Sequence, residues 1–90
     1  MTDNKFIEVM SVPVLSTAHL PSNGAIEEAP LLVAPYEGGW FMYLDRTPPE
    51  GEPFWVAPIR DWAKRICPSC DWVRFDMDAD IIHALEKFTW

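Results

Sequence analysis

The sequence is short of basic residues, of cysteine and of long apolar runs, and each shortage narrows what the chain does. Seven Lys and Arg stand against fourteen Asp and Glu, a formal net charge of −7. A duplex footprint needs clustered cations to meet phosphates, and Arg60, Lys64 and Arg65 are the one basic cluster. Direct nucleic-acid binding is therefore not expected, and a basic protein is the partner such a surface attracts. No run approaches the roughly 20 apolar residues that span a bilayer, so no membrane association is expected. The opening Met-Thr-Asp-Asn-Lys lacks a charged stretch followed by an apolar one. That speaks against a secretory leader and for a cytoplasmic location. There the two cysteines are expected to stay reduced.

Apolar and aromatic residues are abundant: 49% of the chain is hydrophobic, with five Trp, five Phe and two Tyr. Each aromatic side chain buries on the order of 150–250 Å², and a disordered acidic tail would be poor in them. Ninety residues allow one domain, 1–90. Phe6 to Leu15 reads as a strand, rich in β-branched residues. Pro13 within it calls for a bulge or an edge position. Residues 20–30 hold about two helical turns by pattern, with Ser22 or Asn23 as cap and Pro30 limiting them. Glu37-Gly38-Gly39 is a turn signal, and Trp40 to Leu44 follows as a strand apolar on both faces. Asp45 to Pro53 is irregular, and Phe54 to Ala57 is read as extended.

The clearest helix is Pro58 to Ile66. Ile59, Trp62, Ala63 and Ile66 form one apolar stripe. Pro58 suits the first helical position, Asp61 and Arg65 are spaced as a surface pair, and Pro68 stops the helix. Trp72 to Phe75 is a further strand, and Ala79 to Phe88 is open between helix and hairpin. The expected fold is α+β: a small antiparallel or mixed sheet of about four strands, with one or two helices packed on it.

Three motifs carry possible chemistry. Cys67-Pro-Ser-Cys70 could supply half a zinc site or a redox dithiol. Zinc needs a second pair, and only His19 and His83 are at hand. A redox dithiol wants a helix starting at the motif, whereas here a helix ends at it, so structural thiols are the leading reading. Asp76-Met-Asp78-Ala-Asp80 begins like a calcium loop, but Ile81 and Lys87 occupy the positions that require Gly and a bidentate Glu. A solvated acidic turn fits better. With Asp71 and Glu86 it makes the densest negative patch, whose plain alternative is a charged loop serving solubility. Ser16-Thr-Ala-His19 puts a hydroxyl near an imidazole, without the third residue and oxyanion site that nucleophilic catalysis needs. A strand-exit role is the better reading. No catalytic residue, metal ligand or cofactor site is assigned.

Twelve aromatics exceed what a core of this size needs, and exposed Trp and Tyr are typical interface anchors. Tyr36, Trp40, Trp55 and Trp90 lie in or beside extended or turn segments, although any one aromatic is more often core than interface. The predicted partner surface is Asp71, Asp76, Asp78, Asp80 and Glu86 with Tyr36, Trp40, Trp55 and Trp90.

Val12-Pro-Val-Leu-Ser-Thr-Ala-His19-Leu, the strand Gly39-Trp-Phe-Met-Tyr-Leu, and Cys70-Asp-Trp-Val-Arg-Phe-Asp76-Met-Asp78-Ala-Asp80 with Leu85, Phe88 and Trp90 resemble, taken together, a family of small uncharacterised proteins of bacterial mobile elements and phages. The chain departs from that pattern where Pro30 and Pro35 interrupt what the family would run as a helix. The resemblance brings no activity or catalytic residue. It implies a habitat, the host cytoplasm, in which small acidic proteins are often inhibitors of defence systems, anti-CRISPR and anti-restriction proteins among them, some mimicking DNA. The leading expectation is thus a non-enzymatic acidic inhibitor of a basic host protein, such as a defence nuclease or CRISPR effector. The alternatives are a small zinc- or thiol-dependent enzyme using Cys67, Cys70 and His19, and a self-associating structural protein, for instance a homodimer, whose aromatic strands pair between chains.

Overall fold

A computed structural model describes residues 11–22, 24–28, 30–44 and 48–89. Phe6 to Met10, Asn23, residues 45–47 and Trp90, on which some of the expectations above fall, lie outside the described residues. The elements are β1 (Val14–Ser16), a 3-10 turn (Thr17–His19), α1 (Ala25–Glu28), β2 (Val33–Tyr36), β3 (Gly39–Tyr43), α2 (Val56–Ile66) and β4 (Trp72–Asp76). The strands form one mixed sheet in the order β1-β4-β3-β2. β1 is parallel to β4, and the other two pairings are antiparallel. The expected α+β class is what folds.

Proline sets both edges of this sheet. Pro13 accepts from the Arg74 N–H at 2.9 Å but has no N–H to give back, so the β1 ladder begins beside it on an edge strand. Pro35 lies within β2, where the family resemblance implied a helix; Leu32 O accepts from Tyr43 N–H. Alternation then turns Pro35 towards the free edge, where a missing donor discourages further strand pairing.

Register assigns the faces. Leu15, Phe75 and Trp40 stand opposite one another in one row, and Val73, Met42 and Val33 in the next. This is the covered face. Leu15, Met42, Val73 and Phe75 join Val56, Ile59, Trp62 and Ala63 of α2, Ile26 of α1, and Leu20, Leu44, Trp55 and Leu85 in one core cluster. Each large side chain fully buried there contributes about 1.5–3 kcal/mol. The other face carries Val14, Arg74, Phe41 and Ala34 in one row and Trp72 beside Tyr43 in another. The apolar alternation on both sides of β3 thus has one side in the core and one side half-exposed.

Helix α2 starts at Val56, two residues before the expected Pro58, and Phe54–Ala57 is not extended. Pro58 still falls in the first turn, where an N–H has no intrahelical acceptor. Ile59, Trp62 and Ala63 are buried as their spacing predicts, but Ile66 is 57% exposed. The periodicity runs on to Ile66, whereas the core ends a turn earlier. The helix's ion pairs run from Arg60 to Glu52 and from Lys64 to Asp71, not along the expected Asp61–Arg65 spacing.

The segment after β4 forms neither helix nor hairpin. It crosses as an irregular strap, with Leu85 N–H donating to Ile82 O and Phe88 N–H to Ala18 O. His19, 1% exposed, holds it. Its Nε2 accepts from the Ile82 N–H at 2.9 Å, which makes Nδ1 the protonated nitrogen, donating to the Glu86 carbonyl at 2.7 Å. The two bonds satisfy backbone groups that a helix or hairpin would have paired internally.

Candidate partner-binding site

The chain reverses at Glu37-Gly38 between β2 and β3, and β4 ends beside that turn. A Cβ on Gly39 would lie 1.9 Å from the Phe75 carbonyl oxygen, and the residue has φ +157°. Only glycine lets the two backbones approach this closely. Met77 N–H donates to Gly38 O at 3.0 Å, which ties the turn after β4 to the hairpin.

Asp76 organises the corner. Its Oδ1 accepts from the Asp78 N–H at 2.8 Å and its Oδ2 from the Tyr36 hydroxyl at 2.9 Å. Arg74 donates to the same Oδ2 at 3.3 Å and lies 5.7 Å from the centre of the Tyr36 ring. The Asp78 N–H foremost, then the Tyr36 hydroxyl and the Arg74 charge, hold the carboxyl below its ordinary value against a smaller opposing effect of burial. Burial first, and then the neighbouring carboxylate, push the Tyr36 phenol upward, opposed by Arg74. With Ala79 N–H donating to Asp76 O, the acidic stretch is an Asx-type turn. This is the acidic turn that the sequence suggests.

Beside this corner lies an open cleft of about 560 Å³. Pro35 and Trp40, adjacent in register, line it together with Tyr36 and Met77, the last 65% exposed. Glu27 of α1 and Glu37 of the hairpin turn add two exposed carboxylates. Among the described residues neither has a hydrogen-bonding or ion-pairing partner.

The nine predicted partner residues are thus divided. Tyr36 and Trp40 line the cleft, Asp76 braces its rim, and Asp78 and Asp80 follow as exposed carboxylates. Asp71 stands at the opposite end of β4, 3.4 Å from Lys64, so the expected single patch does not include it. Glu86 lies in the strap, its carbonyl bound to His19 and its side chain exposed. Trp55 is buried against Phe75, with ring centroids 6.3 Å apart, and cannot serve as a surface anchor. Trp90 is outside the described residues. Sequence reasoning did not single out Glu27, Glu37 or Met77, which also line the cleft. The two-residue hairpin loop could have placed Glu37 beside Trp40, but nothing local brings α1 to the same place.

The other motifs resolve into structure. Cys67 and Cys70 form a disulfide, with Cα atoms 5.4 Å apart, which corrects the expectation of reduced thiols: the turn after α2 returns Cys70 directly beside Cys67. Cys67 caps the C-terminus of α2, where carbonyl groups disfavour a thiolate, and the Cys70 sulfur is 3.0 Å from the Ser11 carbonyl oxygen. Among the described residues no three His, Cys, Asp or Glu side chains gather as a metal site. Ser16 Oγ accepts from Ala18 N–H at 3.0 Å, capping the 3-10 turn, and both nitrogens of His19 are engaged by the strap. The Ser-Thr-Ala-His segment is therefore a strand exit, as its sequence suggests.

Residues 12–90 match the model of a family of unknown function, the DUF5983 C-terminal domain. No curated protein and no solved structure matches the chain.

Proposed function

The chain belongs to the DUF5983 family of unknown function, and we propose that it is a non-enzymatic domain that binds a basic protein through the acidic end of its sheet. One observation carries this reading: carboxylates that find no counter-ion among the described residues meet half-buried aromatics at one corner. Glu27 and Glu37 are exposed there beside Tyr36 and Trp40, and the exposed Asp78 and Asp80 follow Asp76 in the chain. Aromatic anchors supply contact area at low entropic cost, while unneutralised carboxylates speed encounter with a cationic partner. The mobile-element resemblance suggests the class of partner: a nuclease or CRISPR effector of a host defence system, blocked by occlusion of its basic surface.

The test is affinity capture from host lysate, with elution in rising salt, run in parallel with the Asp78→Lys/Asp80→Lys variant. Both carboxylates are exposed, so the fold tolerates the change. A stoichiometric basic partner should leave the wild-type protein as salt rises, and the variant should hold it at least about tenfold more weakly, the equivalent of about 1.4 kcal/mol. A partner held equally by both proteins, or no salt-sensitive partner, overturns the reading.

A further inference from the structure

We propose that the cleft beside Trp40 receives one arginine side chain, the contact through which a partner protein is anchored; the partner clause rests on the function proposed above, the site itself does not. The lining has three parts. Pro35, Trp40 and Tyr36 give an apolar and aromatic wall, and Met77 gives a thioether. Glu27 and Glu37 come from separate elements, α1 and the β2–β3 turn, and both reach the cleft. The cleft, at about 560 Å³, falls within the size range of ligand pockets, though it is open enough for a side chain to enter from a docked surface.

The chemistry of the wall selects the guest. An arginine stem packs on apolar surface while its head remains polar. Its guanidinium stacks on aromatic faces and is attracted by their quadrupole, and its planar donor fork fits carboxylates. A neutral side chain of the same shape would leave Glu27 and Glu37 solvated but unpaired. An anion would meet two carboxylates with no cation among the described residues to offset them. Arg74, the nearest guanidinium named at this corner, is already committed to Asp76 and the Tyr36 ring. The walls are held in place independently of any guest: Tyr36 hydrogen bonds to Phe75 O and Asp76 at 2.9 Å, and Met77 N–H bonds to Gly38 O.

The experiment titrates the full chain with Nα-acetyl-arginine amide and, separately, with its neutral citrulline analogue, following backbone amides and tryptophan indoles by two-dimensional NMR. The Trp40 indole is assigned from Trp40→Phe. The arginine probe should saturate on the order of millimolar, shifting the Trp40 indole and the amides of 27, 37 and 77 together. The citrulline probe should not. Glu27→Gln and Glu37→Gln should each weaken binding about tenfold, as loss of a charge-assisted contact predicts; unchanged spectra away from the cleft show that the fold is intact. Equal response to both probes, or shifts spread over Asp71, Asp78, Asp80 and Glu86 alike, overturns the site. A captured basic partner that binds the double Glu→Gln variant as well as wild type also overturns it and leaves the proposed function standing. Probe binding in a protein that captures no partner supports the site and removes the function.

Discussion

The two ends of β4 treat charge in opposite ways. Where the strand begins, the Cys67–Cys70 disulfide closes the turn from α2, and Lys64 reaches across it to Cys70 O at 2.7 Å and Asp71 at 3.4 Å. The acid of that end has its base. Where the strand finishes, Asp76 is fully engaged, but Glu27, Glu37, Asp78 and Asp80 find no cation among the described residues. A net charge of −7 states how much charge is left over, and only the fold says that part of it stands beside an aromatic wall.

The contrast can be broken most strongly at Gly39. Gly39→Ala should cost about 3–4 kcal/mol, because its Cβ meets backbone and not a yielding side chain. Urea unfolding would measure this. Gly38→Ala, whose Cβ would lie 3.0 Å from the Tyr36 ring, should cost clearly less, and equal costs would mean that the hairpin does not touch β4 as described. At the closed end, Cys67→Ser/Cys70→Ser should cost about 1–2 kcal/mol, since so short a loop restricts the unfolded chain only modestly. Faster amide exchange is expected over 64–72 and not at the hairpin; the reverse pattern would show that the two ends are not independent.

The smallest effect sharpens the comparison through pH. Asp76 titrates below its ordinary 3.8 in the folded state, so its contribution is complete above that value and is lost as pH falls through the folded pKa. Tyr36 titrates above its ordinary 10.0, so its contribution is complete below 10.0 and is lost as pH rises through the folded pKa. Tyr36→Phe should cost about 1 kcal/mol at neutral pH. It should also flatten both limbs of the stability–pH curve. A variant whose acid limb keeps its full slope would show that the phenol does not support Asp76.

Much of this was legible because it is local. The α2 stripe, the Gly-Gly turn and the strand from Trp72 each depend on periodicity or on residues within one turn of each other. Ser16 as a cap and the acidic turn at 76–80 were likewise readable, because an Asx or Ser side chain bonds backbone two residues away. The readings that failed needed distant partners. Apart from the bond from Leu85 N–H to Ile82 O, the backbone partners of residues 79–88 come from His19, Ala18 and Asp76, which the segment's own pattern does not name. Trp55 and Trp40 look alike in sequence, yet one packs on Phe75 in the core and the other walls the cleft.

The sequence by itself determined a small α+β fold, an acidic balance of charge, the main helix and the turns, because hydrophobic period, proline and glycine act over a few residues. Tertiary structure alone decided which carboxylates find a cation among the described residues, that the two cysteines join, and that α1 brings Glu27 to the cleft beside Trp40. Those outcomes depend on where separate elements come to rest against one core, which no local pattern specifies.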